Sequence, residues 1–142
     1  MEVTSSLGVL VVDDSAAWRR DISECVLRIP GVHVIGSAPD GARAVEMAGA
    51  LQPGLILLDV EMPVMDGLTA IPDLRRVAPD AGIIMVSGLA GAAERARTLG
   101  AFDFVTKPRI PPGEDGPTML RASLERAIHA YVETRPPGKA LL

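Results

Sequence analysis

The sequence predicts an α/β domain: a parallel five-stranded sheet in a doubly wound, three-layer (βα)5 arrangement. Three observations predict it. Short apolar runs alternate with stretches of helical periodicity along the chain, the pattern of a parallel sheet covered by helices on both faces. Hydrophobic residues make up 48% of the chain but aromatics only 3%, so Val, Leu, Ile, Ala and Met must build the core, as suits a sheet buried on both sides. The 142 residues are enough for one domain with a single continuous core.

The elements follow in order. Leu7 to Val12 is an apolar run ending in Asp13 and Asp14. Ser15 to Ile29 has helical spacing, with Ile22, Val26 and Ile29 on one face, and Pro30-Gly31 stops it. Val32 to Ala38 reads as the second strand. Asp40-Gly41 opens a helix to about Leu51, closed by Pro53-Gly54. Leu55 to Leu58 is a wholly apolar third run ending at Asp59. After Pro63 and Asp66-Gly67, a helix is expected from Leu68 to Val77, with Pro72 either tolerated near its start or bending it. Pro79-Asp80 breaks the chain, and Ile83 to Val86 forms the fourth strand, ending at Ser87. Ala92 to Leu99 is helical with Gly100 as its stop. Ala101 to Val105 is the fifth strand, followed by Lys107-Pro108. Residues Ile110 to Pro117 read as loop and Thr118 to Thr134 as the last helix, with Leu120, Leu124, Ala127 and Tyr131 along one side. Crossovers between parallel strands are right-handed. The expected strand order is 2-1-3-4-5, taken from the common doubly wound orders rather than from any spacing. The domain is expected to span residues 5–134, with 135–142, including Pro136-Pro137-Gly138, as a tail or the start of an interdomain linker. No internal repeat or low-complexity segment is visible.

Composition excludes several classes. The net charge of −4 argues against a general nucleic-acid-binding surface. A single cysteine, Cys25, rules out an internal disulfide and a cysteine-rich metal site. The start of the chain lacks a basic segment followed by an apolar one, and no apolar run approaches the ~20 residues that span a bilayer. The expectation is a cytoplasmic protein with no membrane partner.

The chemistry collects where the polar residues fall. Asp13 and Asp14 end the first strand, Asp59 the third and Ser87 the fourth, and Lys107 follows the fifth. In a parallel sheet all these ends share one edge, the edge at which open α/β folds bind ligands. Three carboxylates close together repel one another. A hard divalent cation relieves that repulsion, and Mg²⁺ (or Mn²⁺) suits a site of few carboxylates, several waters and a phosphate oxygen. One ionised Asp is then free to act as a nucleophile without a general base, while the cation, Lys107 and Ser87 stabilise a transferring phosphoryl group.

Each residue also has a plainer reading. Asp13, Asp14 or Ser15 could cap the following helix, and Asp66 before Gly67 reads as a cap or turn residue rather than a ligand. Ser87 alone is an ordinary strand end and Lys107 alone a surface charge. Their joint placement on one edge is what favours a site. Trp18 is expected to pack at the pocket rim. Cys25, His33 and His129 have no partners at ligand spacing, and Arg19-Arg20 reads as a solvated helix face or, alternatively, a kinase-docking face.

The strings VVDDS from Val11, LDVEMPVMDG from Leu58, IIMVSG from Ile83 and DFVTKP from Asp103 resemble the receiver domain of response regulators, over nearly the whole chain to the end of the last helix. The resemblance implies a flavodoxin-like, CheY-like fold. It implies that Asp59 is the phosphoacceptor and that a histidine kinase is the donor. It implies Asp14, Asp59 and the backbone carbonyl of Glu61 as metal ligands, with Asp13 acting through water. Ser87 matches the switching hydroxyl and Lys107 the family's lysine, with a cis bond to Pro108. Phe104 matches the aromatic that changes exposure with Ser87. Many relatives carry Tyr there, and Phe lacks Tyr's hydroxyl, so coupling must act through packing. The output surface is the face of the fourth helix, fifth strand and fifth helix.

DVEMPVMDGL, the MVS segment and DFVTKP further resemble the receiver of CheB, the chemotaxis protein-glutamate methylesterase, in which phosphorylation relieves a block on a C-terminal esterase domain. That resemblance implies a CheA-like kinase and a methylesterase parent. A stand-alone receiver of similar sequence is the other possibility. In neither case is this stretch an enzyme beyond its own dephosphorylation. Two readings of other classes stay open. An aspartate-nucleophile phosphatase wants a second acid two residues after the nucleophile, where Glu61 stands, but no substrate-capping segment is apparent. A nucleotide-binding flavodoxin-like module wants a glycine-rich loop after the first strand, which is missing, and Asp13-Asp14 would repel phosphate without a metal.

Overall fold

A computed structural model describes residues 6–135. The elements alternate throughout: β1 (Leu7–Val12), α1 (Ala16–Leu27), β2 (Val32–Ala38), α2 (Gly41–Leu51), β3 (Leu55–Leu58), α3 (Gly67–Val77), β4 (Gly82–Ser87), α4 (Ala93–Leu99), β5 (Asp103–Thr106) and α5 (Gly116–Thr134). All strand pairs are parallel, and the order is β2-β1-β3-β4-β5. The doubly wound fold expected from the alternation is the fold found.

The apolar runs serve two cores at once. A strand sends successive side chains to opposite faces. Val9, Val11, Leu55, Leu57, Ile84, Val86 and Val105 therefore pack with the buried residues of α1 and α5. Leu10, Val12, Ile56, Leu58, Ile83 and Met85 pack with those of α2, α3 and α4. This is why β3 and most of β4 tolerate no polar residue until the last strand position is reached.

Helix starts follow local chemistry. The Ser15 hydroxyl accepts the Trp18 N–H, and the carboxylates of Asp40 and Asp66 accept from Arg43 and Thr69, each satisfying a donor that a first helical turn leaves without a backbone partner. Ser15, rather than Asp13 or Asp14, is thus the cap of α1, and Asp66 is a cap as read. Helix α3 runs through Pro72.

Several element ends shift by a single residue, and four larger differences from expectation have a local cause. Helix α1 stops at Leu27, short of Ile29, which turns into the core with Pro30-Gly31 behind it. A 3₁₀ turn at Ala90–Ala92 precedes α4. Strand β5 begins at Asp103 because Ala101 and Phe102 are still leaving the cap of α4, with the Ala101 N–H bonded to the Ala96 carbonyl. Helix α5 begins at Gly116, two residues early, since Pro117 fits a first turn where its missing N–H costs nothing. The proposed tail Pro136-Pro137-Gly138 and the domain start at Ser5 lie outside the described residues. Among the described residues, no helix is long and apolar enough to cross a membrane.

Candidate functional site

Backbone hydrogen bonds between neighbouring strands set the site residues side by side. Val12 pairs with Leu58, and the Asp59 N–H donates to the Val12 carbonyl at 3.0 Å. The Asp13 N–H donates to Ala38 on the other side at 3.1 Å. The Lys107 N–H donates to the Ser87 carbonyl at 2.9 Å. Each residue directly after a strand is therefore held by the strand beside it, on one edge of the sheet.

The side chains converge. Lys107 Nζ lies 2.6 Å from Asp13 Oδ2 and 3.1 Å from Asp59 Oδ2, bridging the two carboxylates. One oxygen each of Asp13, Asp14 and Asp59 falls within 4.8 Å of the others. Asp13 is fully buried, Asp59 is 5% exposed, and Asp14 stands out toward solvent. The Asp59 Oδ1 accepts the Val60 N–H at 2.7 Å, leaving Oδ2 facing the lysine. Asp13 Oδ1 accepts the Ser15 N–H at 2.9 Å. Burial pushes the Asp13 carboxyl above the usual carboxylate range, and the lysine beside it only partly opposes this.

These acids fit a divalent cation on two grounds. Three carboxylates against one ammonium leave two negative charges in a single pocket. Asp13 Oδ2 is buried, with the lysine ammonium at 2.6 Å as its one close polar partner among the described residues. Oxygen donors of this kind suit Mg²⁺. Glu61 lines the same pocket with an exposed side chain.

Ser87 and Phe104 are placed differently. The Ser87 side chain is buried and turned onto its own loop, where Oγ accepts the Leu89 N–H at 3.2 Å. It makes no hydrogen bond to Asp59 or to the lysine ammonium among the described residues. Phe104 sits opposite Met85 in the β4–β5 register and is half-buried on the α4 side. It also lines a cleft of about 440 Å³ with Ser123, Arg126 and Ala130 of α5.

One expectation is corrected. The Lys107–Pro108 bond is trans, since no cis peptide occurs among the described residues. The X–Pro amide separates the isomers by only about 0.5–1 kcal/mol, and Lys107 reaches both carboxylates from the trans chain.

Several contributors escaped the sequence reading. Arg19 is not a free surface charge: its Nη1 donates to the Asp13 carbonyl at 2.7 Å, so α1 braces the strand end. Its spacing of four from Ser15 was the available signal. Gly67 packs its Cα directly on the Asp59 carbonyl, where any Cβ would collide with backbone, and its N–H donates to Val60 at 2.8 Å. The turn after Asp59 thus needs glycine there. Trp18 is at the rim as expected, with Lys107 Nζ 5.0 Å from its ring centroid, within cation–π range.

The chain is similar to known proteins over most of its length. The response regulator receiver domain family matches residues 9–114. A protein-glutamate methylesterase/protein-glutamine glutaminase of Desulfotalea psychrophila is 38% identical over 133 residues, covering 91% of this chain and 35% of its own length. One from Photobacterium profundum is 47% identical over 103 residues, covering 70% of this chain and 26% of its own length. The chain thus spans about a third or less of the curated relatives it matches. Among solved structures, the response regulator domain of Thermotoga maritima CheB superposes with a TM-score of 0.80 at 36% identity, covering 92% of this chain and 99% of that one. The CheX-CheY-BeF3-Mg+2 complex of Borrelia burgdorferi gives 0.76 at 25% identity, covering 89% of each.

Proposed function

Because the chain belongs to the response regulator receiver domain family, we propose that it takes a phosphoryl group from a histidine kinase on Asp59. The observation that carries this reading is the bridge from Lys107 to Asp13 and Asp59, with Asp14 beside them. Asp59 Oδ2 is the nucleophile. Its other oxygen is occupied by the Val60 N–H, which fixes the carboxylate plane. Lys107 supplies positive charge to the phosphoryl oxygens as they arrive. Asp13, Asp14, Asp59 and the backbone carbonyl of Glu61 would hold Mg²⁺, Asp13 through water. That ion would neutralise phosphoryl charge and offset the repulsion among the acids.

Phosphorylation adds negative charge and acceptor oxygens beside Lys107. The Ser87 hydroxyl then exchanges the Leu89 N–H for a phosphoryl oxygen, drawing the β4–α4 loop inward. Phe104 moves into the space vacated, and the face of α4, β5 and α5 changes shape. This is a population shift between two packings. Hydrolysis of the acyl phosphate returns the protein to its resting form.

Residues 5–134 would constitute the receiver, with 135–142 a C-terminal tail or the start of an interdomain linker. The methylesterase relatives support a methylesterase output domain under control of this face, and with it we infer a CheA-like kinase as donor and chemotaxis in the cytoplasm as the setting. The test is incubation with acetyl phosphate and Mg²⁺, followed by intact-mass measurement. An acid-labile adduct that disappears in Asp59→Asn is expected. Continuous release from p-nitrophenyl phosphate with no stable adduct would overturn the reading in favour of a phosphatase.

A further inference from the structure

The pocket at Asp59 is larger than a phosphoryl group requires. It is an open cleft of about 560 Å³, and its walls have two characters. Asp13, Asp14, Asp59 and Lys107 line the polar end. Trp18, Pro108, Ile110, Pro111 and Pro112 supply an apolar side, and Glu61, Gly88 and Arg109 complete the lining. Asp59 is nearly buried while Trp18, Ile110 and Pro112 are half-buried and Pro111 is exposed, so the apolar wall lies toward solvent from the nucleophile.

That wall is built, not incidental. The Asp21 side chain is 2% exposed, and its Oδ2 accepts the Gly113 N–H at 2.7 Å. A buried carboxylate on α1 thereby pins the loop carrying Ile110–Pro112 against the helix carrying Trp18. Three prolines, at 108, 111 and 112, stiffen the same loop. The start of α5 lies beside the same ring: a Cβ built on Gly116 would stand in ordinary contact with it, at 3.5 Å.

We propose that Trp18 and the Ile110–Pro112 segment form a leaving-group subsite for a planar nitrogen heterocycle, the imidazole ring of a phosphohistidine. This rests on the reading of Asp59 as phosphoacceptor. In an in-line transfer the leaving group departs on the side of phosphorus away from the attacking oxygen. From buried Asp59 that side is the apolar wall. The P–N bond breaks as the Asp59 Oδ2–P bond forms. The electron pair returns to the ring nitrogen, and a ring already protonated on its other nitrogen leaves as neutral imidazole. Such a ring has flat apolar faces that an indole stacks well, whereas ammonia or acetate offers no face to hold.

The experiment uses the full chain with Mg²⁺ and two donors that share a P–N bond, N-phosphoimidazole and phosphoramidate. Adduct formation is followed by intact mass, so loss of the indole does not blind the assay. The ratio of kcat/KM for the ring donor to that for phosphoramidate is expected to fall about tenfold in Trp18→Ala, the scale of one aromatic stacking contact. Trp18→Phe should restore most of it. Ile110→Ala, which leaves the indole and its contact with Lys107 in place, should lower the ratio in the same direction. Rates that fall equally for both donors, or a ratio unmoved in all three variants, would overturn the subsite. Absence of any adduct on wild-type Asp59 from either donor would instead overturn the phosphoacceptor reading on which it stands.

Discussion

At the N-terminal edge of the sheet, Tyr131 of α5 reaches between two strands. Its hydroxyl donates to the Gly54 carbonyl at 2.7 Å and accepts the Gly82 N–H at 2.9 Å. Phe102 packs edge-on against its ring at 5.4 Å. At the C-terminal edge, three carboxylates gather beside one ammonium, which pairs with two of them and is, among the described residues, the one close polar partner of a buried oxygen of Asp13. Both edges join strands through polar side chains from distant segments. One is closed: the hydroxyl both gives and receives. The other carries excess charge that a cation or a phosphoryl group with its cation would settle. The difference separates stability from switching within one sheet. An edge with its partners satisfied has nothing to gain from a ligand, whereas an edge held in deficit changes when one arrives.

The sharpest break of the comparison is Asp59→Asn. It should abolish phosphoryl uptake entirely while leaving the melting temperature close to wild type, because it removes a charge from the overloaded edge. Intact mass and thermal melts check the two halves. Next in size is Tyr131→Phe. It keeps the ring and removes the two bonds of the hydroxyl, while the Gly82 N–H still donates to the Gly54 carbonyl at 3.1 Å, so the loss is about 0.5–1.5 kcal/mol. Urea denaturation should show it, with the rate of acetyl-phosphate uptake at low temperature unaltered. If that rate fell in parallel, the two edges would not be separable.

Much of this division was legible in the sequence. The apolar runs Leu55–Leu58 and Ile83–Val86 announced buried parallel strands, and the residues just beyond each run announced the charged edge. A strand's polar terminus is a local feature, so a local reading finds it. The Tyr131 clamp was not legible: it joins residues 77 and 49 positions apart, and Tyr131 read simply as one more apolar position on a helix face. The bond from Gly113 to Asp21, 92 positions apart, was hidden for the same reason. Arg19 was misread because an arginine on an amphipathic helix is normally solvated, and only the packing of α1 on the end of β1 aims it at Asp13. The trans Lys107–Pro108 bond shows the limit of transferring a backbone detail by motif, since the isomers differ by so little energy.

Asp13→Asn sharpens the comparison with a smaller effect. Without Mg²⁺, burial makes the Asp13 charge unfavourable despite its lysine. The neutral amide should therefore raise the melting temperature of the metal-free protein and weaken Mg²⁺ binding. The pH dependence has a definite sign. The folded carboxyl takes up its proton at a higher pH than the unfolded one, whose ordinary value is 3.8. Between those two values the folded state binds more protons, so this residue's contribution to stability improves as pH falls through the window. Melts of wild type and Asp13→Asn across the acid range, with chelator present, should differ by that slope. A wild-type slope of opposite sign relative to the variant would show that the lysine wins over burial.

The smallest effect concerns the backbone, and it repeats the contrast. Two non-glycine residues adopt positive φ among the described residues, Gln52 at 49° and Val64 at 68°. Gln52 follows α2, at the end of the domain where Tyr131 sits, and its amide donates to the carbonyls of Gly49 and Val77 at 3.0 and 2.9 Å. Those bonds offset the steric cost of the left-handed region. Val64 lies in the loop between Asp59 and α3, is 85% exposed, and has no side-chain polar group to compensate. A β-branched residue is poorly tolerated there, whereas Asn adopts the region readily. Val64→Asn should therefore stabilise the protein by about 0.5–1 kcal/mol, and Gln52→Ala should destabilise it by a similar amount through its lost bonds. Equilibrium unfolding of the two variants decides the matter. If Val64→Asn stabilised nothing, the valine would be relaxed in its turn, and the contrast between a compensated and an uncompensated edge would stop at electrostatics and not extend to the chain itself.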